Sequence, residues 1–202
     1  PAGGQPETAT ITYRAWDASQ GTVGGVADVT VGGGETAFSI VGDLAAVTVK
    51  EINVPPAIGN VGGPLAYVEN DLPKAVFPSA TVVDPNSPDF DGGTLVAAII
   101  SGGTPSDRVL IREGNGISLA GDTVIYESGG PRLIGSYTVD GWVLTVRLTS
   151  AEATLAAVQA LVRSVAYENV SDAPTSSDRR ILLSLTDGDG GNDTGNATQT
   201  VK

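Results

Sequence analysis

The stretch of sequence that decides the fold is Ala9-Thr-Ile-Thr-Tyr-Arg-Ala-Trp16, in which residue character alternates with a period of two. The alternation places Ile11, Tyr13 and Ala15 on one face, which is typical of a β-strand with one buried side. The same period recurs in three later runs, at residues 47–52, 142–148 and 181–185. The chain is therefore predicted to consist mainly of β-strands.

Glycine-rich turns separate these runs. The chain has 27 glycines and 12 prolines, and paired glycines such as Gly24-Gly25 and Gly102-Gly103 stand between the alternating stretches. Glycine enters positive φ without steric cost, so it closes tight turns. Short strands joined by such turns predict an antiparallel β-sandwich.

One segment departs from the period of two. Thr149-Ser-Ala-Glu152 has the spacing of a capping box, with Thr149 as the N-cap and Glu152 three residues later. Apolar residues then recur at helical spacing, at Leu155, Val158, Leu161 and Val162. We expect one short helix at about residues 150–163, with its apolar stripe packed over an end or edge of the sandwich.

The composition excludes several classes of function. Lys and Arg total 11 against 23 Asp and Glu, so the formal net charge is −12 and nucleic acid is not an expected partner. The sequence has no His and no Cys, which excludes a Ser–His–Asp triad, a thiol nucleophile and zinc sites built on either residue. The longest apolar run, residues 95–100, is far shorter than the roughly 20 residues of a membrane helix, so no membrane insertion is expected.

A weak internal echo indicates a repeat architecture. Residues 11–17 and 181–187 each form a strand-like run that ends in Asp and precedes a Gly-rich loop. A final strand-like run follows each loop, at residues 45–49 in the first copy and 197–201 in the second. Self-similarity of this kind is the sequence signature of repeat proteins.

The similarity between residues 11–17 and 181–187 determines the expected domain boundaries. Residues 1–50 are predicted to be the C-terminal strand hairpin of a preceding repeat, residues 51–56 a stiff Pro-containing linker, and residues 57–202 one complete repeat. An isolated hairpin is marginally stable in water. We therefore expect residues 1–50 to dock on the 57–202 domain or on a second copy, which would give a homodimer.

Acidic residues cluster in three turns, within residues 67–71, 84–93 and 187–193. Hard oxygen ligands on Gly-bent loops suit Ca²⁺, which takes six to eight oxygens in flexible geometry. Asp and Asn are also common in turns because their side chains cap their own backbone, so solvated turns are the alternative interpretation. None of the loops has the spacing of an EF-hand.

Two other kinds of site are weakly indicated. A pair of carboxylates could serve a glycosidase, but the acids lie in turns and aromatic residues make up only 5 % of the chain. Four aromatic residues could form a platform for stacking sugars, although strand aromatics of a sandwich are mostly core: Trp16, Tyr126, Tyr137 and Trp142. No catalytic residue is predicted, and the chain is not expected to be an enzyme.

A long stretch resembles a known repeat family. Residues 148–172, which include Ala-Leu-Val-Arg-Ser-Val-Ala-Tyr-Glu-Asn, and residues 185–191, Leu-Thr-Asp-Gly-Asp-Gly-Gly, resemble the cadherin-like tandem repeats of giant bacterial surface and secreted proteins. They are also similar to the repeats of the chondroitin sulfate proteoglycan family. Residues 67–71 and 83–85 resemble the opening of that repeat, and residues 52–56 resemble its linker.

The resemblance implies an Ig- or cadherin-like sandwich, strung in series, with Ca²⁺ at its ends and junctions. Carried over onto the matching positions, it implies these calcium ligands: Glu69, Asp71, Asp84, Asp89, Asp91, Asp187 and Asp189. It further implies that Asp17 and Asn53 serve the junction with the preceding unit. The linker departs from the acidic family form, since Val54-Pro55 stands where a further Asp is expected.

These expectations combine into one functional hypothesis. The chain is expected to be a non-enzymatic, calcium-stabilised spacer repeat of a secreted or cell-surface bacterial adhesin, in contact with neighbouring repeats of the same chain. The alternative is a module that binds a cell-surface glycan or protein through exposed loops. The two differ in a simple way, because a spacer needs calcium for stability, whereas a lectin-like module needs a saccharide ligand.

Overall fold

The structure, a computed structural model, describes residues 7–49, 52–191 and 193–202. The chain divides into two compact units, one holding the described residues up to Val49 and the other those from Ile52 to Lys202. It is mainly β, with antiparallel sheets and a single short helix in the described residues, consistent with a β-sandwich. The predicted fold class is confirmed at that level, and the Ig or cadherin type stays a prediction.

The N-terminal unit is a β-hairpin with a long Gly-rich loop. Strand β1 (Glu7–Trp16) pairs antiparallel with β2 (Phe38–Val49), and a β-bulge interrupts the register between Arg14 and Trp16. The Arg14 guanidinium donates to the Ser39 and Ile40 carbonyls at 2.6 and 2.8 Å, which ties the two strands together at the bulge. Strand β2 starts well before the run that the sequence pattern identified.

The described residues of the C-terminal unit form twelve strands and the helix. Their bounds are β3 Ala57–Gly59, β4 Lys74–Ala75, β5 Thr81–Val83, β6 Thr94–Ser101, β7 Asp107–Ile111, β8 Ile117–Ala120, β9 Thr123–Tyr126, β10 Arg132–Asp140, β11 Val143–Leu148, α1 Leu155–Ser164, β12 Val165–Asn169, β13 Arg179–Thr186 and β14 Thr194–Val201.

The strands described in this unit form three sheets. The largest has seven strands in the order β14-β13-β6-β11-β10-β9-β8, the second has the order β4-β12-β7, and β3 pairs with β5. Strand β6 lies between β13 and β11, so its alternate residues Leu95, Ala97 and Ile99 are buried. This burial explains the apolar run at residues 95–100, which is a central strand.

Strand β14 is held on two sides. It pairs antiparallel with β13 over eight residue pairs, from Arg179 opposite Val201 to Thr186 opposite Thr194. On its other side the Leu65 amide donates to the Thr200 carbonyl, and the Lys202 amide donates to the Leu65 carbonyl, both at 2.8 Å. A short parallel bridge thereby fastens the end of the chain.

The helix begins five residues later than the sequence pattern predicts. Its N-cap is Thr154, whose side chain accepts from the Ala157 amide, and the predicted N-cap Thr149 follows β11 directly. The Thr149 amide donates to the Ile134 carbonyl at 3.2 Å, so the sheet extends into the region where the capping box was expected. The assignment of Thr149 and Glu152 as a capping box is therefore wrong.

The apolar face of the helix is buried, as predicted. Six residues of one face are buried, namely Ala157, Val158, Ala160, Leu161, Val162 and Ser164. The helix also bonds to the segment around β5, since the Val82 amide donates to the Gln159 side chain at 3.1 Å and Arg163 Nε donates to the Ala80 carbonyl at 2.8 Å. Among the described residues, no helix is long and apolar enough to cross a membrane.

The interpretation of the two units as successive repeats stays a prediction. Residues 1–6, 50 and 51, which the predicted boundaries include, lie outside the described residues. The boundary between the two compact units lies in the segment predicted to be the linker. This boundary does not identify the hairpin as part of another repeat.

Candidate functional site

Five side chains from three separate segments meet in what we call the Asx cluster, defined as Asn53, Asp84, Asn86, Asp187 and Asp189. Asn53 precedes β3, Asp84 and Asn86 follow β5, and the last two lie between β13 and β14. All five belong to the C-terminal unit. Four of the positions proposed from the sequence belong to this cluster, and Asn86 is the addition.

Asn53 connects the other members. Its amide Nδ2 donates to both carboxylate oxygens of Asp187, at 3.1 and 2.9 Å, and to the Gly190 carbonyl at 3.1 Å. Its Oδ1 accepts from Asn86 Nδ2 at 2.8 Å. One neutral side chain therefore satisfies a carboxylate on one loop and an amide on another.

Asp84 has one satisfied oxygen and one unsatisfied oxygen. Its Oδ1 accepts from the Asn86 and Ser87 amides at 3.1 and 3.0 Å, which folds the loop after β5 into an Asx turn. Its Oδ2 is buried and has no hydrogen-bond partner among the described residues. A buried carboxylate oxygen without a donor is costly, because it has lost its water and gained nothing in return.

Asp187 is fully buried. Burial raises its pKa, and the charges of Asp84 and Asp189 add to the increase, while hydrogen bonds from Asn53 and the Asp189 amide oppose it. Asp189 in turn accepts from Ser87 Oγ at 2.7 Å. Burial is thus the main cause of the raised pKa of Asp187, and the charges of the two neighbouring carboxylates make a smaller contribution.

No basic side chain offsets this negative charge in the part of the chain that the structure describes. The ion pairs found there join Lys74 with Asp71, Arg132 with Glu152 and Arg179 with Asp107. Within the same residues, no three acidic side chains come close enough to form a metal-binding group by themselves. Any cation at the Asx cluster would therefore need amide and carbonyl oxygens as well as carboxylates.

Two glycines allow the loops of the cluster to approach each other. At Gly188, which has a φ of +92°, a Cβ would lie 2.3 Å from the Asp91 carbonyl oxygen. At Gly93 a Cβ would lie 2.2 Å from the Thr186 carbonyl oxygen. Side chains at either position would push the two acidic loops apart, so the glycines position the cluster.

The other proposed ligands of the 84–93 loop serve a neighbouring turn. Asp89 Oδ1 accepts from the Asp91 amide at 3.1 Å, and the Asp91 side chain is exposed. No hydrogen bond joins either carboxylate to the Asx cluster among the described residues. Asp89 therefore fits the interpretation of an acidic residue that caps its own backbone, and the exposed Asp91 carboxylate fits that of a solvated turn residue.

In the acidic turn at Glu69 and Asp71, a lysine side chain already supplies the positive charge. Asp71 Oδ2 lies 2.5 Å from Lys74 Nζ and accepts from the Val68 amide at 2.8 Å. The Lys74 ammonium and the Val68 amide hold the pKa of Asp71 below its ordinary value. Glu69 lines a cavity of about 250 Å³ together with Tyr67, and it belongs to this separate region of the unit.

Asp17 lies in the N-terminal unit, directly after β1. Its Oδ1 accepts from the Ser19 amide at 2.8 Å, and its own amide donates to the Ala37 carbonyl at 3.0 Å. Hydrogen bonds from Ser19 hold the pKa of the Asp17 carboxyl below its ordinary value. Within its own unit, Asp17 therefore organises the start of the long hairpin loop.

A second polar cluster, which the sequence analysis missed, surrounds Asp107 at the start of β7. Asp107 is fully buried and accepts from the Thr104 amide and hydroxyl at 2.6 and 2.9 Å, from Asn169 Nδ2 at 2.6 Å, and from the Tyr167 hydroxyl. Arg179 Nε lies 3.3 Å from both of its carboxylate oxygens. We call these five residues the Asp107 cluster.

Hydrogen bonding decides the ionisation state of this cluster. Burial raises the pKa of Asp107, but hydrogen bonds, first those of Tyr167 and Asn169, outweigh burial and hold its pKa below the ordinary value. Burial and the neighbouring Asp107 raise the pKa of Tyr167, so its hydroxyl stays a donor. The cluster is thus a charged Asp–Arg pair, fully bonded and structural in character.

A signal for this cluster is present in the sequence. Asp107 precedes Val109 and Ile111 in the alternation of buried residues along β7, and Arg179 precedes Ile181 in that along β13. A charged residue at the inward position of a strand requires a partner, so opposite charges at two such positions could have been matched.

No known protein family, curated protein or solved structure matches the chain.

Proposed function

We propose that this chain is a non-enzymatic, calcium-stabilised spacer repeat of a secreted or cell-surface bacterial adhesin. The observation that carries the proposal is the Asx cluster, in which Asp84, Asp187 and Asp189 gather without a basic partner among the described residues. Carboxylates that are brought together in this way favour a bound cation, because repulsion between them otherwise destabilises the fold.

The donor set of the cluster suits calcium. It offers carboxylate, side-chain amide and backbone carbonyl oxygens, which are the hard ligands that Ca²⁺ takes in flexible geometry. The Oδ2 of Asp84, buried and without a hydrogen-bond partner in the part of the chain that the structure describes, would serve as one ligand atom. Bound calcium would supply the positively charged partner that these carboxylates do not have among the described side chains. Asn53 and Asn86 orient those carboxylates through the hydrogen bonds already described.

The cluster also fixes the segment that precedes the sandwich, which is the property that a spacer needs. The Val54 amide donates to Asn86 Oδ1 at 3.1 Å, so the segment before β3 is tied to the loop after β5. Pro56 packs against β14, where a Cβ at Gly195 would lie 1.9 Å from the Pro56 carbonyl oxygen. Ligands contributed by Asn53 would couple calcium binding to the stiffness of this segment.

Thermal unfolding with and without calcium tests the proposal. Sites of extracellular modules bind with Kd on the order of 10⁻⁴–10⁻³ M. At a calcium concentration of 100 Kd, binding would stabilise the fold by about 2.7 kcal/mol per site. Melting curves in EDTA and in excess Ca²⁺ should therefore separate clearly, and titration calorimetry should show heat of binding. Coincident curves with no binding heat would contradict the proposal.

Two matched variants locate the effect. Asp187→Asn removes a charge from the Asx cluster, and Asp140→Asn removes one from the exposed last residue of β10. Calcium should raise the melting temperature of the Asp140→Asn protein and should leave that of the Asp187→Asn protein nearly unchanged. An equal calcium response in both variants would place the site elsewhere in the chain.

A second candidate function, a glycan- or protein-binding module, is favoured by a cavity in the N-terminal unit. The cavity has a volume of about 400 Å³ and is lined by Trp16, Phe38 and residues 20–27. This volume is within the usual range for ligand sites. Trp16 Nε1 donates to the Gln20 carbonyl at 2.7 Å, which fixes the indole while 37 % of the residue stays exposed.

A glycan array tests this second function. Binding should be lost in Trp16→Ala and kept in Trp142→Ala, because Trp142 is equally exposed, at 38 %, but lies in the C-terminal unit. An array without hits, together with calcium-dependent stability, would favour the spacer. In that case we propose neighbouring repeats of the same chain as its partners.

A further inference from the structure

Strand β1 has an open edge. It belongs to a two-stranded sheet and pairs with β2 alone among the described residues. An edge strand presents a row of unpaired N–H and C=O groups, which form a template for pairing with another chain. Proteins usually protect such edges with Lys, Pro or inward-pointing charges. The sequence of β1 contains neither Lys nor Pro, and Arg14, its single basic residue, lies at the bulge.

The middle of one face of the hairpin is apolar and uncovered. Because directly opposed residues share a face, Ala9, Ile11 and Tyr13 lie on the same side as Val47, Ala45 and Asp43. Asp43, at one end of the apolar stretch, accepts a hydrogen bond from the Tyr13 hydroxyl at 3.2 Å. Ile11 is 66 % exposed and Val47 is 62 % exposed, while the other face of β1 carries threonines. Apolar side chains at this density gain free energy when a further strand extends the sheet and its apolar face becomes continuous.

The same chain contains a hairpin of similar pattern in which the edge is filled. Strand β13 pairs with β14 on one side and with β6 on the other. Its alternate residues Ile181, Leu183 and Leu185 are fully buried. The contrast identifies the missing element of β1, which is an antiparallel strand with apolar residues on one face.

We propose that β1 of a second copy supplies this strand, so that two hairpins form one four-stranded sheet in the order β2-β1-β1-β2. The sequence of β1 is complementary to itself when Ile11 lies opposite Ile11 of the other copy. In that register Ala9 faces Tyr13 on the apolar side and Thr10 faces Thr12 on the other. Arg14 lies opposite Thr8, so no basic residue faces another.

The first test is the oligomeric state of the full chain and of two variants. Sedimentation velocity over a range of concentrations should show a monomer–dimer equilibrium. Ile11→Lys should abolish the dimer by placing a charge on the shared face, whereas Leu133→Lys, a substitution of a comparably exposed strand residue in the C-terminal unit, should leave it unchanged. A monomer at every concentration, or a dimer that survives Ile11→Lys, would overturn the proposal.

The second test determines the register by disulfide cross-linking. Because the sequence contains no cysteine, a single introduced cysteine can pair only with its equivalent in another copy. Opposed residues of antiparallel strands have Cα atoms about 4.5–5.5 Å apart, which is within the range of a disulfide. Ile11→Cys should therefore yield a disulfide-linked dimer under mild oxidation. Val47→Cys is the control, because the two Val47 positions would be three strand spacings apart across the sheet, about 14 Å, and further apart once their offset along the strands is included, which is beyond disulfide reach. Equal cross-linking of the two variants, or none in Ile11→Cys, would overturn the pairing.

Discussion

Replacing Arg179 by Leu should destabilise the C-terminal unit by about 3 kcal/mol. Arg179 is nearly buried and is the cation that faces the fully buried Asp107. Removing one partner of a buried ion pair leaves an uncompensated charge, which costs roughly 3–5 kcal/mol. The effect is large against the 5–15 kcal/mol that stabilises a typical domain.

The other contacts of Arg179 and Asp107 place the expected loss of stability at the lower end of the range of roughly 3–5 kcal/mol. Arg179 also donates to the Thr175 and Ser177 carbonyls, but this loop is exposed, so water can replace those bonds. Asp107 keeps the hydrogen bonds from Tyr167, which continue to stabilise its charge. At about 2–4 °C per kcal/mol for a domain of this size, the melting temperature should fall by about 6–12 °C.

Urea and thermal unfolding, followed by circular dichroism, measure this difference. The control is Arg180→Leu, because Arg180 is the next residue of β13 and is exposed on the opposite face, where substitutions usually change stability by no more than about 0.5 kcal/mol. Adding Asp107→Asn to Arg179→Leu should recover part of the loss, since it removes the unpaired charge. Equal, small losses in the two arginine variants would refute the reasoning.

Three further outcomes are expected. Thr154→Ala should cost about 1 kcal/mol by removing the N-cap of the helix, whereas Thr149→Ala should have little effect in the same urea titration. Leu161→Ala should cost about 2–5 kcal/mol, because its side chain is fully buried under the helix, and an unchanged melting temperature would contradict that packing. The pKa of Asp107 is lowered by folding, so its contribution is present above the unfolded value of about 3.9 and is lost as pH falls through the folded value. The stability difference between the natural protein and Asp107→Asn should accordingly shrink below about pH 4, as measured by unfolding between pH 2 and 6.

The strands could be predicted from the sequence because each is a local pattern. The alternation in β11 and β13 requires only that one face be buried, and the turns between strands require only glycine. Strand β1 shows the same alternation, but the expected buried side is exposed in the structure, with Ile11 66 % exposed. The start of the helix could not be predicted in the same way. Thr149 and Thr154 both precede an apolar periodic segment, and the choice between them depends on how far β11 extends along its partner β10, which is a tertiary property.

The candidate site was predictable in part for a related reason. Acidic residues in Gly-rich loops indicated Asp84, Asp187 and Asp189 as candidate ligands, but in two separate turns. That these two turns meet depends on the pairing of the strands that precede them, which the local pattern does not contain. The same signal could not separate them from Asp71, whose partner Lys74 lies three residues away and satisfies it. The pair of Asp107 and Arg179 is 72 residues apart in sequence, so it depends on the register of two strands in different sheets.

The way β14 is fastened has a mechanical consequence. Its eight residue pairs with β13 and its bonds to Leu65 lie across the strand direction. A pulling force applied along the strand from Lys202 would load these hydrogen bonds together in shear, whereas a force applied across the strand would break them one at a time. A unit strung in series and stretched along this strand would therefore resist tension at its final strand, and a single-molecule pulling experiment would detect this as a high unfolding force.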